Sequence, residues 1–222
     1  MSQQIYLSQR ETQEWPWHLR PEVIQAVGDL KQDRGDKFTL IDVGASHNPF
    51  DRTYLTHTFD ILPSQMEGVH QFIGNMNRYQ DWKPLLDYVA EHGKFTFANC
   101  THTLEDLANP MLALEMLPLI AEQGFLAMPS KYNELQKREG PFRGTMHHRW
   151  IWNNEGGMLV AYPKISIVDS MTFYPHELAI EDHAELELRM FWITDIGYKV
   201  VNDDYLGPTA EAIYDIYRKL VP

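Results

Sequence analysis

Two acidic residues and one glycine lie at the ends of strand-like runs with the spacing of a nucleotide-binding site. The apolar run 39–43 contains Asp42 and is followed directly by Gly44. A second strand-like run, 54–59, ends in Asp60, eighteen positions after Asp42. A small residue in the turn lets the backbone approach a ligand, and the second carboxylate can accept hydrogen bonds from ribose hydroxyls. The pattern therefore predicts a nucleoside-containing cofactor at the edge of a parallel sheet.

Three histidines are candidates for acid–base chemistry. His102 follows a predicted strand, and His147 and His148 end a long polar segment, 131–149. Histidine can act as a general base for a hydroxyl or amine near neutral pH. Adjacent residues of a strand point to opposite faces, so at most one of the pair is expected to face the site. The alternative is that each histidine only hydrogen-bonds to loop backbone.

Metal binding and anion binding are two further hypotheses. His102, Glu105, His147 and His176 could hold a metal ion, but their spacings match no tight metal motif, and we predict no metal site. The segment 131–149 concentrates basic residues in an acidic protein: Lys131, Lys137, Arg138, Arg143 and Arg149. They could hold a carboxylate or phosphate, or they could form an ordinary solvated surface. Trp15 and Trp17 could cover a pocket, although packing on the next helix is favoured.

Strands and helices alternate in the first part of the chain. A helix begins at Pro21, and buried strands are predicted over 38–43, 95–99 and 125–128, with helices over 82–92 and 109–120 between them. Gly124 is expected to end the tail of the latter helix. This order predicts an α/β fold, Rossmann-like, with a mostly parallel central sheet and helices on both faces.

The C-terminal portion is predicted to be β-rich. Short strands are expected over 150–152, 158–161, 165–168, 186–193 and 198–201, before a terminal helix over 209–220. We expect a single domain over 1–222, with a cofactor-binding core at 36–130, an active-site loop at 131–150 and the C-terminal strands and helix at 151–222.

Composition excludes several classes of function. The chain has 222 residues and a net charge of −12, with no run of Lys or Arg, so a nucleic-acid partner is not expected. Cys100 is the only cysteine, which rules out an intrachain disulfide and favours a reducing, cytoplasmic location. The N-terminal ten residues do not look like a signal peptide, and charged residues and prolines interrupt the apolar stretch 111–128, so no membrane span is expected.

The combined order of motifs resembles the class I S-adenosylmethionine-dependent methyltransferases, in particular their small-molecule branch. The residues that carry the resemblance are 41–46, Asp60, 74–76 and the run 99–107, which is followed by Asn109-Pro110, a helix and Gly124. The resemblance covers about positions 36–130. It implies S-adenosylmethionine as cofactor and a small-molecule acceptor, with a sugar or another anionic metabolite as candidates.

The resemblance also implies a role for each site residue. Asp42 would face the amino group of the cofactor, and Gly44, Ala45 and Ser46 would form the turn beside its methionine half. Asp60 would bind the ribose hydroxyls. The adenine ring would contact Asn75 at its edge and Met76 on its face, and Asn99 and Cys100 would lie below the sulfonium.

Two alternatives remain open. The turn carries Ala45, Ser46 and Pro49 where the family usually has further glycines, so the chain could be a non-catalytic or cofactor-binding protein on the same fold. It could also be a metal-dependent enzyme built on its histidine cluster.

Overall fold

The computed structural model describes residues 3–6, 21–45, 49–64, 66–136, 138–139, 142–170, 183–201 and 209–220. Its strands are β1 (Gln3–Tyr6), β2 (Leu40–Val43), β3 (His57–Asp60), β4 (His70–Ile73), β5 (Phe97–Thr101), β6 (Gln123–Pro129), β7 (Arg138–Glu139), β8 (Phe142–Arg143), β9 (Trp150–Glu155), β10 (Met158–Pro163), β11 (Glu187–Ile193) and β12 (Tyr198–Val200). Its α-helices are α1 (Pro21–Arg34), α2 (Tyr79–His92), α3 (Pro110–Ile120), α4 (Lys131–Gln136), α5 (Ile167–Ser170) and α6 (Ala210–Tyr217).

A seven-stranded sheet in the order β1-β11-β6-β5-β2-β3-β4 forms the centre of the fold. The five strands from β6 to β4 are mutually parallel. β11 runs antiparallel to β6, and β1 runs antiparallel to β11. The expected α/β fold with a mostly parallel sheet is confirmed.

Helices cover both faces of this sheet, as predicted. On one face α1 packs Val23 and Val27 against Leu40, Phe97 and Phe125. On the other face α2 and α3 bury a larger core, which includes Trp82, Leu85, Leu114, Leu117, Ile41, Ala98 and Leu126. β2, β5 and β6 are buried along nearly their whole length because helices cover both of their faces.

A second sheet, in the order β12-β10-β9, joins the larger core. β9 and β10 form an antiparallel hairpin, and β12 lies parallel to β10. Trp152 and Leu159 of this hairpin lie in one core cluster with Met190 and Trp192 of β11. The C-terminal portion is therefore rich in strands, as predicted.

Several local predictions were wrong. The residues 165–168 do not form a strand, since α5 begins at Ile167. Gly124 does not end a helix tail but lies inside β6, where an added Cβ would stand 2.2 Å from the carbonyl oxygen of Ala98. The segment 131–149 is not a plain loop, because it contains α4 and the β7–β8 hairpin.

No helix in the described part of the chain is both long and apolar enough to span a bilayer.

Candidate functional site

The carboxyl ends of the parallel strands bring the candidate residues to one edge of the sheet. Gly44 follows β2, Asp60 ends β3, Gly74 follows β4 and His102 follows β5. β11 is antiparallel, so its first residue, Glu187, also lies at this edge, opposite Pro129 at the end of β6. Ligands of open α/β sheets bind at this edge.

Gly44 is needed at the first turn for two reasons. Its φ of +85° lies in the region that side chains disfavour. An added Cβ would stand only 2.0 Å from Oγ1 of Thr103, in the loop after β5. The backbone N–H of Gly44 donates to the carbonyl of Phe59 at 2.8 Å, which ties the turn to β3.

Asp42 holds the loop that follows this turn. Its residue is 3% exposed, and its two carboxylate oxygens accept from the backbone N–H of Phe50 at 2.6 Å and from the side-chain amide of Asn99 at 2.7 Å. Asp42 therefore ties the end of β2 to Phe50 and to Asn99 of β5, and its contact with a cofactor amino group stays a prediction.

Two buried acceptor oxygens near this turn have no hydrogen-bond donor among the described residues. They are Oδ1 of Asn99 and Oε2 of Glu105, in residues that are 2% and 1% exposed. Asn99 must donate through its NH₂ group, since the Asp42 carboxylate only accepts. The amide atom without a hydrogen-bond partner among the described residues is therefore the oxygen, Oδ1. A buried acceptor without a donor is costly, so a ligand with N–H or O–H groups would be stabilised here.

Cys100 lies between these acidic groups but is fully buried. Burial first, and then the charges of Asp42 and Glu105, raise the pKa of its thiol. Cys100 packs within the large core, and its contact with a cofactor stays a prediction.

The predicted ribose and adenine residues lie on the neighbouring turns. Oδ1 of Asp60 accepts from the N–H of Leu62 at 3.0 Å, and Oδ1 of Asn75 accepts from the N–H of Asn77 at 3.0 Å. Met76 is 6% exposed and lies in the large core, where its carbonyl accepts from the indole of Trp82. Met76 thus packs on protein, and the contacts of these three residues with a cofactor stay predictions.

A chain of alternating charges runs through His102. Nε2 of His102 lies 2.6 Å from Oε1 of Glu187, and its Nδ1 lies 3.4 Å from Oε1 of Glu105. The other oxygen of Glu187 bonds to Arg189 at 2.5 Å, and Arg189 bonds to Glu22 of α1 at 3.0 Å. This chain links the helix on one face of the sheet to the loop after β5.

The environment of His102 favours its charged form. Burial opposes the charge, but the hydrogen bonds and negative charges of Glu105 and Glu187 outweigh it and raise the pKa of His102 to about 9. Near neutral pH the ring is therefore an imidazolium, which has no lone pair to take a proton. This environment disfavours a role as general base for His102, and that role stays a prediction.

His147 and His148 lie in a turn rather than in a strand, so strand alternation gives no reason for only one of them to face the site. Nε2 of His147 is 3.7 Å and Nε2 of His148 is 3.9 Å from Oδ1 of Asp106. Nδ1 of His148 lies 2.6 Å from Oε1 of Glu134, whose second oxygen is 2.7 Å from Nζ of Lys164. The turn adjoins the loop after β5, because the N–H of Arg149 donates to the carbonyl of Glu105 at 2.7 Å.

The basic residues of 131–149 whose side chains the structure describes form two groups. Arg143 is fully buried, where its guanidinium donates to the carbonyl of Leu135 at 2.7 Å. Lys131 is half-buried and Arg149 is exposed, so these two cations are accessible to a ligand.

Some predicted residues lie outside the described residues. These are Ser46 of the turn, His176 of the metal hypothesis, Trp15, Trp17 and Lys137.

Sequence reasoning missed Glu187, Arg189 and Glu134. Each is a buried charged residue with at least one partner from a distant part of the chain. Nothing local in the sequence marks them, apart from the position of Glu187 and Arg189 beside the apolar run 190–193.

No family model matches the chain, and no curated protein matches it. Solved structures of methyltransferases are similar in fold. One is a Bacillus halodurans protein assigned to the methyltransferases, with 16% identity over 48% of this chain and 52% of that chain and a TM-score of 0.32. Another is the methyltransferase MycE of mycinamycin biosynthesis in complex with Mg and SAH, with 11% identity over 54% of this chain and 37% of that chain and a TM-score of 0.37.

A third similar chain belongs to the complex between the Trm112 methyltransferase activator of Haloferax volcanii and its partner, with 10% identity over 81% of this chain and 99% of that chain and a TM-score of 0.35. The match spans about half or less of the first two structures. The order of the chain's own strands shows a Rossmann-like fold.

Proposed function

We propose that the chain is an S-adenosylmethionine-dependent methyltransferase that acts on a small molecule. The observation that supports this most directly is the meeting of three features at the carboxyl edge of β2, β3 and β5: the Gly44 turn, the carboxylate of Asp60 and the unpaired buried oxygen of Asn99.

These groups fit the chemistry of the cofactor. Its ammonium and ribose hydroxyls are hydrogen-bond donors, and the edge offers acceptors that are short of donors. Asn99 and Glu105 would accept from the ammonium together with Asp42, whose oxygens also bond to Phe50 and Asn99. Asp60 would accept from the ribose.

The cofactor, when bound, supplies a methyl group activated by positive sulfur. The chain would bind and orient the two reactants and exclude water from them. His102 would enter as a fixed cation, held by Glu105 and Glu187, and would not remove a proton from the acceptor.

The acceptor is proposed to be small, and an anionic acceptor would depend on the accessible cations Lys131 and Arg149. Arg143 contributes nothing to such a site because it is buried. Replacing Lys131 and Arg149 together with alanine should weaken an anionic acceptor and leave a neutral one unchanged, when methyl transfer is measured for matched pairs of acceptors.

Calorimetry with S-adenosylhomocysteine tests the proposal. We expect one site per chain with a Kd in the micromolar range, about −8 kcal/mol. Asp60→Ala should weaken binding at least about tenfold, since a buried ribose hydroxyl loses its acceptor. Asp87→Ala is the matched control, because Asp87 is an exposed carboxylate on α2 whose partner among the described residues is Lys83. If folded protein shows no heat with millimolar S-adenosylhomocysteine, the chain is not a methyltransferase. The same result would also exclude the alternative that it is a protein that binds this cofactor without catalysis.

A further inference from the structure

Two histidines and one aspartate outside the proposed cofactor site have side-chain atoms that lie close together and could bind a metal. The cluster consists of Asp106, His147 and His148, and one carboxylate oxygen and two imidazole nitrogens of these residues all lie within 4.8 Å of one another. Both Nε2 atoms approach the same oxygen, Oδ1 of Asp106, at 3.7 and 3.9 Å. We propose that these three residues bind a divalent transition-metal ion.

The surroundings of His148 support this assignment independently. Its Nδ1 lies 2.6 Å from the fully buried carboxylate of Glu134. That contact fixes the proton on Nδ1 and leaves the lone pair of Nε2 aimed at Asp106. A carboxylate on the far nitrogen of a ligating histidine is the usual way in which proteins orient such a ligand and raise its basicity.

Glu134 is itself held in place. Nζ of Lys164 is 2.7 Å from its second oxygen, and an added Cβ on Gly144 would stand 2.2 Å from that same oxygen. Both carboxylate oxygens therefore have partners, which makes Glu134 a positioning residue and not a fourth ligand.

The backbone brings the two arms of the cluster together before any ion binds. The N–H of Arg149, next to His148, donates to the carbonyl of Glu105, next to Asp106. Tetrahedral bonds of 2.0–2.2 Å separate ligand atoms by about 3.3–3.6 Å. Separations that now reach up to 4.8 Å must therefore shorten by up to about 1.5 Å. The side chains that would move are free to do so, since His147 is 68% and Asp106 is 44% exposed.

The donor set indicates the kind of metal. Two imidazoles and one carboxylate suit zinc and its first-row neighbours, whereas magnesium and calcium prefer oxygen ligands alone. Three protein ligands leave at least one coordination position for water or another ligand. With both Nε2 atoms as ligands, neither His147 nor His148 would act as a free general base.

Zinc calorimetry on chelator-treated protein, with every affinity tag removed, tests the proposal without reference to methyl transfer. Wild-type protein should bind one zinc ion per chain with a Kd in the micromolar range or tighter, and magnesium should compete at least about a hundredfold more weakly. His147→Ala and Asp106→Ala should each weaken zinc binding at least about tenfold. Both side chains are exposed enough for the variants to fold, which thermal melting in the absence of metal would verify.

His92→Ala is the matched control, because His92 is an exposed histidine on α2 outside the cluster. The zinc affinity of this variant should equal that of wild type. Equal affinities of His147→Ala and wild type would overturn the proposal, as would zinc binding without a defined one-to-one stoichiometry. Loss of S-adenosylhomocysteine binding with zinc binding intact would reject the proposed methyltransferase alone.

Discussion

The imidazole of His102 lies 2.6 Å from a carboxylate oxygen of Glu187, although 85 residues separate the two in the chain. The contact exists because β11 runs against the other strands of the sheet, so it begins where β5 ends. His102 takes a left-handed backbone conformation, with φ of +50°, which is uncommon for a residue other than glycine. Its two ring nitrogens contact Glu105 and Glu187, and these contacts hold it there.

His102 should titrate well above an ordinary histidine. Its pKa of about 9 depends on the two carboxylates, which stabilise the imidazolium against the effect of burial. Histidine NMR titration should show this value in wild-type protein and a clear fall toward 6.5 in Glu187→Gln. Glu211→Gln is the control, since Glu211 is an exposed acid on α6 that should leave the titration of His102 unchanged. A wild-type value near 6.5 would contradict the ion-pair geometry.

Because of the same ion pairs, the free energy of unfolding falls as the pH becomes alkaline. The pKa of His102 is higher in the folded chain than in the unfolded chain, so its contribution is complete below pH 6.5 and is lost as the pH rises to about 9. About a third of the ring is exposed, and allowing for solvent screening we expect a loss of roughly 1–2 kcal/mol. Urea unfolding at pH 6.5 and pH 9.5 should show this loss in wild type and not in His102→Gln.

His57 should have the opposite effect. It is buried among aromatic rings, its Nε2 is 2.9 Å from the hydroxyl of Tyr88, and burial, followed by the charges of His70 and His92, lowers its pKa to about 4. As the pH falls below 6.5, His57 is protonated in the unfolded chain but stays neutral in the folded chain. Its contribution to the free energy of unfolding is therefore complete above pH 6.5 and is lost as the pH drops to 4.

Urea unfolding measures this effect of His57. Between pH 7 and pH 5 we expect wild type to lose about 2 kcal/mol through this residue. His57→Gln should be less stable at pH 7 but should lose less between the two pH values, because it has no proton to gain. Equal losses in both proteins would show that His57 titrates normally.

The sequence predicted the helices better than the ligand edge. α1 and α3 follow from a proline in the first turn and from apolar residues at helical spacing, which are local signals. β4, with the sequence HQFI, was missed because this edge strand is only partly buried and has no unbroken apolar run. Gly124 resembles a helix stop, but it is required in β6 by the indole of Trp192, which packs where a Cβ would be.

The candidate site was only partly predictable for a physical reason. The positions of Asp42, Gly44 and Asp60 depend on strand ends, which apolar patterning reveals. The charge of His102 depends on Glu187, and the hydrogen bond of His148 depends on Glu134. Tertiary packing sets the positions of both glutamates. His147 and His148 were expected to alternate as in a strand, but the chain turns after Gly144, which has φ of +62°.

Gly44 offers a direct test of the close packing at the first turn. Gly44→Ala should be destabilised by two effects, the positive φ of +85° and the approach of the new Cβ to Thr103. Gly157→Ala is the matched control, since Gly157 has φ of +86° but no atom within 4 Å of an added Cβ. Backbone strain should cost both variants about 1–2 kcal/mol, and the clash should cost Gly44→Ala a further 1–3 kcal/mol.

Urea unfolding of the two glycine variants separates the cost of backbone strain from the cost of the clash. The decisive measurement combines each glycine variant with Thr103→Ala. Thr103→Ala removes Oγ1 and Cγ2, the two atoms nearest to the added Cβ, so it should recover part of the clash term in the Gly44→Ala background. It should recover nothing in the Gly157→Ala background, which lies in the β9–β10 hairpin turn. If Gly44→Ala and Gly157→Ala cost the same, or if Thr103→Ala is simply additive with Gly44→Ala, the loop after β5 does not press on the first turn, and the two loops are farther apart than the structure places them.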